Sequence, residues 1–347
     1  MLQNNYFCVC KPACIKSRCK SKVCIVNFNV MRKILFFLLS VLILAGCHNN
    51  KSEKDSYTIA TLKGPSSMGM IRMIDSLSKT SDNIKFEVFT EPMQVRKMML
   101  EGTADFAVLP STMAAILYNN DIKYRLVAVP CWGSLYLIGN DTDTVIKTWQ
   151  DLKNERIYVM AKSMTPDLLF RYLLTQNGLN PEEDVVLDYS FPTHINLANA
   201  IGAGKAQYGV MTEPYVSVIM QNNSSVRKIL NLSSEWNKVQ GTPLAETAFL
   251  CKEDVIFNNP ELVEKVISMY SESTEWVNTN PEEAAGLMAK YEIIPDSVAA
   301  LNAIPNSNLK VMRARDIRES INNYFKVFYN MNPETIGEKI PDENFIY

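Results

Sequence analysis

From residue 57 onward, hydrophobic and polar positions fall into two runs of the same order. Tyr57–Leu62 alternates and predicts a strand, and residues 63–67 a turn. Met70, Ile71, Ile74 and Leu77 then recur at helical spacing, predicting a helix over 68–78 with Ser66 or Ser67 as its cap. Ile84–Phe89 reads as a strand, 92–101 as a helix stopped by Gly102, 106–109 as a short buried strand and 111–118 as a helix. The second run begins with a strand at 156–160, a polar turn at 161–166 and a helix at 167–177 closed by Gly178. A strand at 185–189, a helix at 195–203, a strand at 208–211 and a helix at 214–220 follow. Strands alternating with helices predict layered α/β units.

The two runs share a register. Gly102-Thr-Ala104-Asp-Phe-Ala-Val-Leu109 parallels Gly204-Lys-Ala206-Gln-Tyr-Gly-Val-Met211, about one hundred residues later. Long strand-like segments at 126–138 and 242–250 separate the runs and make natural crossovers. Helices at 260–278, 281–291 and 314–329 follow the return and are expected to complete the first unit. The predicted fold is α/β, with two similar α/β lobes joined by two crossover strands and a cleft between them. Lobe 1 comprises 57–130 and 245–347, and lobe 2 comprises 131–244. A ligand is expected in the cleft, because α/β sheets bind at the carboxyl ends of their strands.

The amino-terminal segment is different. Met31-Arg-Lys33 is followed by a short apolar stretch and then Leu44-Ala-Gly-Cys47. A basic start, a short apolar stretch and small residues at a cut site describe a secretory signal over 31–46. The stretch is shorter than the ~20 residues a spanning helix needs. Its end resembles the bacterial lipobox, which makes Cys47 the lipidated first residue and 47–56 a tether. Residues 1–30 read as an over-extended start, because a complete signal begins at Met31. Their five cysteines have no paired CxxC and no nearby histidine. The net charge of −2 conceals a basic leader. Beyond residue 46, 28 basic side chains face 37 acidic ones, a net charge of −9, which is no footprint for nucleic acid. After cleavage Cys131 and Cys251 remain besides Cys47, and either one disulfide or two buried thiols fits them.

Several stretches resemble the solute-binding proteins of ABC importers, in the nitrate/sulfonate/taurine and thiamine-precursor branch of the type II periplasmic-binding fold. They are Gly102-Thr-Ala-Asp-Phe-Ala-Val-Leu-Pro110, Asp151-Leu-Lys153, Asn177-Gly-Leu-Asn-Pro181, Glu213-Pro214, Asn280-Pro-Glu-Glu-Ala-Ala285 and the closing 341–347. The chain departs from the pattern where Asn154 and Glu155 follow Lys153, and it matches the first loop, 64–69, only approximately. The resemblance implies a monomeric, lipid-anchored, extracytoplasmic protein that binds a small molecule and hands it to an ABC permease. It implies no catalysis and no cofactor. HExxH, GxSxG, P-loop and Cys/His metal patterns are absent from the mature sequence. Two alternatives share the fold or the address: an enzyme similar to menaquinone-pathway dehydratases or thiamine-pyrimidine synthases, and a lipoprotein that senses a ligand or binds a partner.

Candidate ligand contacts follow from the strand ends. Ser66, Ser67 and Met68 open the first helix, and Ser163, Met164 and Thr165 are their counterparts in lobe 2, where free N–H groups suit a polar or anionic ligand. Ser111 and Thr112 open a third helix in the same register, with Glu213 as the second-lobe counterpart, a carboxylate that either binds an amine or ring N–H or caps a helix. Trp132 and Gly133 lie on the first crossover, where Trp132 either stacks on a flat ligand or packs the hinge. Lys63 and Lys162 either pair with an anion or face solvent, Arg171 reads as solvent-facing, and His194 as a surface residue at a helix start.

Overall fold

The computed structural model of the protein describes residues 56–80, 83–140, 146–160 and 162–347. The signal, Cys47 and nearly all of the tether lie outside them. Among the described residues, β1 (Tyr57–Leu62), α1 (Pro65–Gly69), α2 (Ile71–Ser78), β2 (Ile84–Phe89), α3 (Pro92–Leu100), β3 (Phe106–Pro110) and α4 (Ser111–Asn119) come first. β4 (Tyr124–Cys131) leads through a three-residue turn into β5 (Leu135–Asn140). Next are β6 (Arg156–Val159), α5 (Thr165–Gln176), β7 (Val186–Asp188), α6 (His194–Gly202), β8 (Tyr208–Thr212), α7 (Tyr215–Asn222), β9 (Val226–Asn231) and α8 (Leu232–Gln240). The chain closes with β10 (Thr247–Lys252), α9 (Glu253–Asn258), α10 (Pro260–Thr279), α11 (Pro281–Lys290), α12 (Ser297–Ala303), β11 (Leu309–Arg313) and α13 (Arg318–Met331).

The strands form two sheets, ordered β11-β4-β10-β3-β1-β2 and β7-β6-β8-β5-β9. β1, β2 and β3 are parallel, as are β6, β7 and β8. In each sheet the antiparallel strand beside this core has just crossed from the other lobe: β10 against β3, and β5 against β8. The two lobes therefore repeat one α/β scheme, with mixed sheets covered by helices. The repeated glycines show why their register recurs. Gly102 and Gly204 both stand at positive φ, +68° and +69°, where each helix is stopped before the central strand. A side chain disfavours that conformation, so the same residue serves both turns.

Some expectations shift. The helix foreseen over 68–78 breaks at Met70 into α1 and α2, and its N-cap is Gly64 rather than Ser66 or Ser67. The first crossover is two strands in different sheets rather than one. β9, α8 and β11 were not foreseen. The last helix reaches beyond the first sheet: Trp236 on α8 lies 6.0 Å from Tyr324 and 6.5 Å from Phe328 on α13. Cys131 and Cys251 are both free and buried. Cys251 pairs across β4 with Arg125, six residues from Cys131 on the same strand. That separation is about 20 Å at strand spacing, far beyond the roughly 7 Å a disulfide can span.

Candidate ligand-binding cleft

A cavity of about 240 Å³ opens between the two sheets. Its wall is built where strands end. β1 delivers Leu62 to Ser66, β2 delivers Thr90 to Met93, and β3 delivers Pro110. From the other side β6 delivers Met160, β8 delivers Thr212 and Glu213, and the loop after β7 delivers Pro192 to His194. The carboxyl ends of parallel strands leave backbone groups unpaired and side chains free to converge, which is why α/β ligand sites form there. The lobes also touch. Thr112 and Thr165 hydroxyls lie 3.0 Å apart, and the Tyr136 hydroxyl donates to Asn306 O at 2.7 Å.

Among the candidate ligand contacts, Ser66, Met164, Thr165 and Glu213 line the cavity, and Lys63 stands at its exposed rim. Ser67 is fully buried, and its hydroxyl donates to Gly64 O at 3.2 Å. Met68 packs in the core beside α10–α12. Ser111 Oγ donates to Ala245 O at 2.7 Å, holding α4 to the return crossover. Thr112 meets Thr165. The Trp132 indole N–H donates to Lys310 O at 2.8 Å on the far side of the hinge. Gly133 stands at φ +88°, with Ser233 Oγ so near that an added Cβ would lie 2.2 Å from it. Both hinge residues are therefore spent on packing. Ser163 also has positive φ, +64°, and its N–H donates to Asp167 at 2.7 Å. The anion-binding helix end expected at Ser66–Met68 belongs to a five-residue helix, too short to build a dipole of consequence.

Glu213 is fully buried at the end of β8. Lys228 Nζ approaches Oε1 to 2.9 Å without hydrogen-bond alignment, while Ser217 N–H donates to Oε2 at 3.0 Å. Lys228 also sits 4.5 Å over the Tyr136 ring. The carboxylate thus arrives already paired.

His194 and Glu246 also line the cavity, though neither was a candidate contact. His194, read as a surface residue, is the first residue of α6 and stacks on Tyr215 at 5.1 Å, both rings on the wall. Its Nδ1 is closed off from water without a partner, and burial lowers its pKa to about 4. The imidazole is therefore neutral at pH 7. Glu246 lies in the return crossover. Its carboxylate accepts from Ser134 N–H on the other crossover at 3.3 Å, so it bridges the two hinge strands. Burial raises its pKa to about 7, against the smaller lowering by the Ser134 bond. The surface it retains opens onto the cavity. Sequence offered only its place in a crossover. Arg171, expected to face solvent, instead binds Asp167 at 2.8 Å and the Tyr189 hydroxyl at 2.8 Å.

Similarity to known proteins agrees with this geometry. Residues 31–47 match the prokaryotic membrane lipoprotein lipid attachment site, which makes Cys47 the anchor of an extracytoplasmic chain. A Brucella abortus chain named only as a binding protein is 23% identical over 210 residues, 59% of this chain and 60% of the relative. This chain thus spans about 60% of the length of the curated relatives it matches. Among solved structures, an ABC transporter from Parabacteroides distasonis is 23% identical with a TM-score of 0.73, covering 85% of this chain and 99% of that one. The periplasmic aliphatic sulphonate binding protein SsuA of Escherichia coli is 15% identical with a TM-score of 0.65, covering 84% and 98%. At these identities the likeness is one of fold, that of type II periplasmic binding proteins. Residues 83–284, more than half the chain, match the family described as NMT1/THI5 like, and the protein belongs to that family.

Proposed function

We propose that the protein is the solute-binding subunit of an ABC importer, held to the membrane through Cys47. It captures a small molecule in the cavity and presents it to a permease, and it does no chemistry of its own. One observation carries the reading: the cavity wall is drawn from the strand ends of both sheets, so a ligand touching both stabilises the closed arrangement. Ser66, Thr165 and Glu213 are proposed contacts, joined by His194 and Glu246. The names of the solved relatives, an ABC transporter and a sulphonate-binding protein, support the same role.

A thermal-shift screen tests it. The chain from Asn49 onward is unfolded and refolded to strip bound ligand, then heated with sulfonates, oxyanions, pyrimidines, amines and aromatic acids. A ligand at ~100 times its Kd adds roughly 2.7 kcal/mol, an easily visible rise in Tm. A hit recovered chemically unchanged is the expected result. Turnover of the hit would move the assignment to an enzyme, and a flat screen would move it to a partner-binding lipoprotein.

A further inference from the structure

The polar groups on the cavity wall are unbalanced in sign. The wall carries one basic side chain, Lys63 at the exposed rim, against Glu91, Glu213 and Glu246. Glu213 already has Lys228. Glu246 has only the Ser134 N–H, and no cation among the described residues pairs with it. The ionisable groups set against it from neighbouring elements are Cys131 on β4 and Tyr324 on α13. A thiol and a phenol ionise only to anions, so neither supplies positive charge, and the Glu246 charge opposes that ionisation in both. His194 is neutral, and its unpartnered Nδ1 is closed off from water. The remaining lining combines neutral serine and threonine residues with apolar, adaptable side chains, Met93, Met113, Met160 and Met164 among them. An oxyanion entering this space would meet neutral hydroxyl groups and a carboxyl at the hinge and, among the described residues, no buried guanidinium or ammonium on the wall to receive it.

We propose that the cargo is a small organic cation, its ammonium group seated on Glu246 between the crossovers and its apolar body against the four methionines. This rests on the solute-binding reading above. A charge-assisted N–H···O⁻ bond to Glu246 supplies the counter-charge the hinge lacks. Because the same carboxylate accepts from Ser134, the ammonium group ties both crossovers to the ligand. Binding fixes Glu246 in its ionised form, so at neutral pH and below it expels a proton.

Titration calorimetry of the refolded chain tests this with tyramine, tryptamine and agmatine, the neutral analogues tyrosol and tryptophol, and the anions methanesulfonate and nitrate. The expected result is that an amine binds at least about tenfold more tightly than its hydroxyl analogue. Glu246→Gln, which keeps an acceptor for Ser134 N–H, and Glu246→Asp, which withdraws the charge, should each lose amine affinity about tenfold or more while retaining a cooperative unfolding transition. Repeating the wild-type titration at pH 7 in buffers of different ionisation heat should reveal proton release that Glu246→Gln abolishes, a signal a merely structural Glu246 would not give. Anions binding as well as amines, or amine binding indifferent to Glu246→Gln, overturns the cation assignment and leaves the solute-binding reading intact. No binding by any probe, of any charge, overturns both.

Discussion

Glu246 and His194 stand on the same wall and titrate in opposite senses. The folded-state pKa of Glu246, about 7, lies above its ordinary 4.5, so the folded chain holds a proton the unfolded chain has released. Its contribution to stability is full below about pH 4.5 and is lost as pH rises to 7. That of His194, about 4, lies below 6.5, so its contribution is full above pH 6.5 and is lost as pH falls to 4. Each shift corresponds to about 3 kcal/mol at most. Urea unfolding from pH 4 to 8 should therefore find Glu246→Gln more stable than the parent at pH 8, with the difference gone near pH 4. His194→Phe keeps the stacking on Tyr215 and should lose the acid-side decline. Parallel curves for parent and Glu246→Gln would refute the burial argument. Neither residue was legible beforehand for the same reason: Glu246 acquires its meaning from Ser134, 112 positions away, and His194 from which lobe its helix faces.

Among the elements, α5 illustrates how a loop is fixed for binding. Asp167, 2% exposed, accepts from Ser163 N–H, Arg171 Nε and the Tyr189 hydroxyl at 2.7–2.8 Å. That holds the left-handed turn at Ser163 and sets Met164 and Thr165 on the cavity wall. Asp167→Ala removes the buried acceptor of three donors and leaves Arg171 only its exposed partner Glu182, so it should lose ~3 kcal/mol or more in urea unfolding. A loss under about 1 kcal/mol, the range of exposed pairs, would mean solvent already satisfies Arg171. Elements with strong periodicity or a glycine stop were readable from sequence, which is why both three-strand cores and their paired Gly102 and Gly204 turns were foreseen. The missed strands are β9, with Arg227 and Lys228 interrupting its apolar positions at a sheet edge, and β11, five residues with Lys310 and Arg313. The break at Met70 escaped because the apolar spacing of 70–77 runs on from the short helix before it. Trp132 and Gly133 were correctly located at a crossover, but only the Lys310 and Ser233 neighbours reveal that they pack the hinge.

At the scale of the molecule, two lobes share one cleft and a lipid anchor holds them at a membrane. The anchor was legible as a linear motif, and Cys47→Ser should move the protein from the membrane fraction to the soluble fraction; retention would mean an uncleaved anchor. The cleft is the central claim, and the distance between its two rims tests it most directly. Lys97 on α3, its side chain 73% exposed, and Ile195 on α6, 51% exposed, stand on opposite lobes outside the cavity wall, one turn beyond Met93 and next to His194. Spin labels at Lys97→Cys and Ile195→Cys, in the chain from Asn49, report that distance by pulsed electron resonance. Cys131 and Cys251 stay unlabelled, because both are buried with their thiol pKa values pushed up. A ligand that raises Tm should shift the distribution to one shorter, narrower distance. The same distribution with and without that ligand would contradict capture by closure between the lobes.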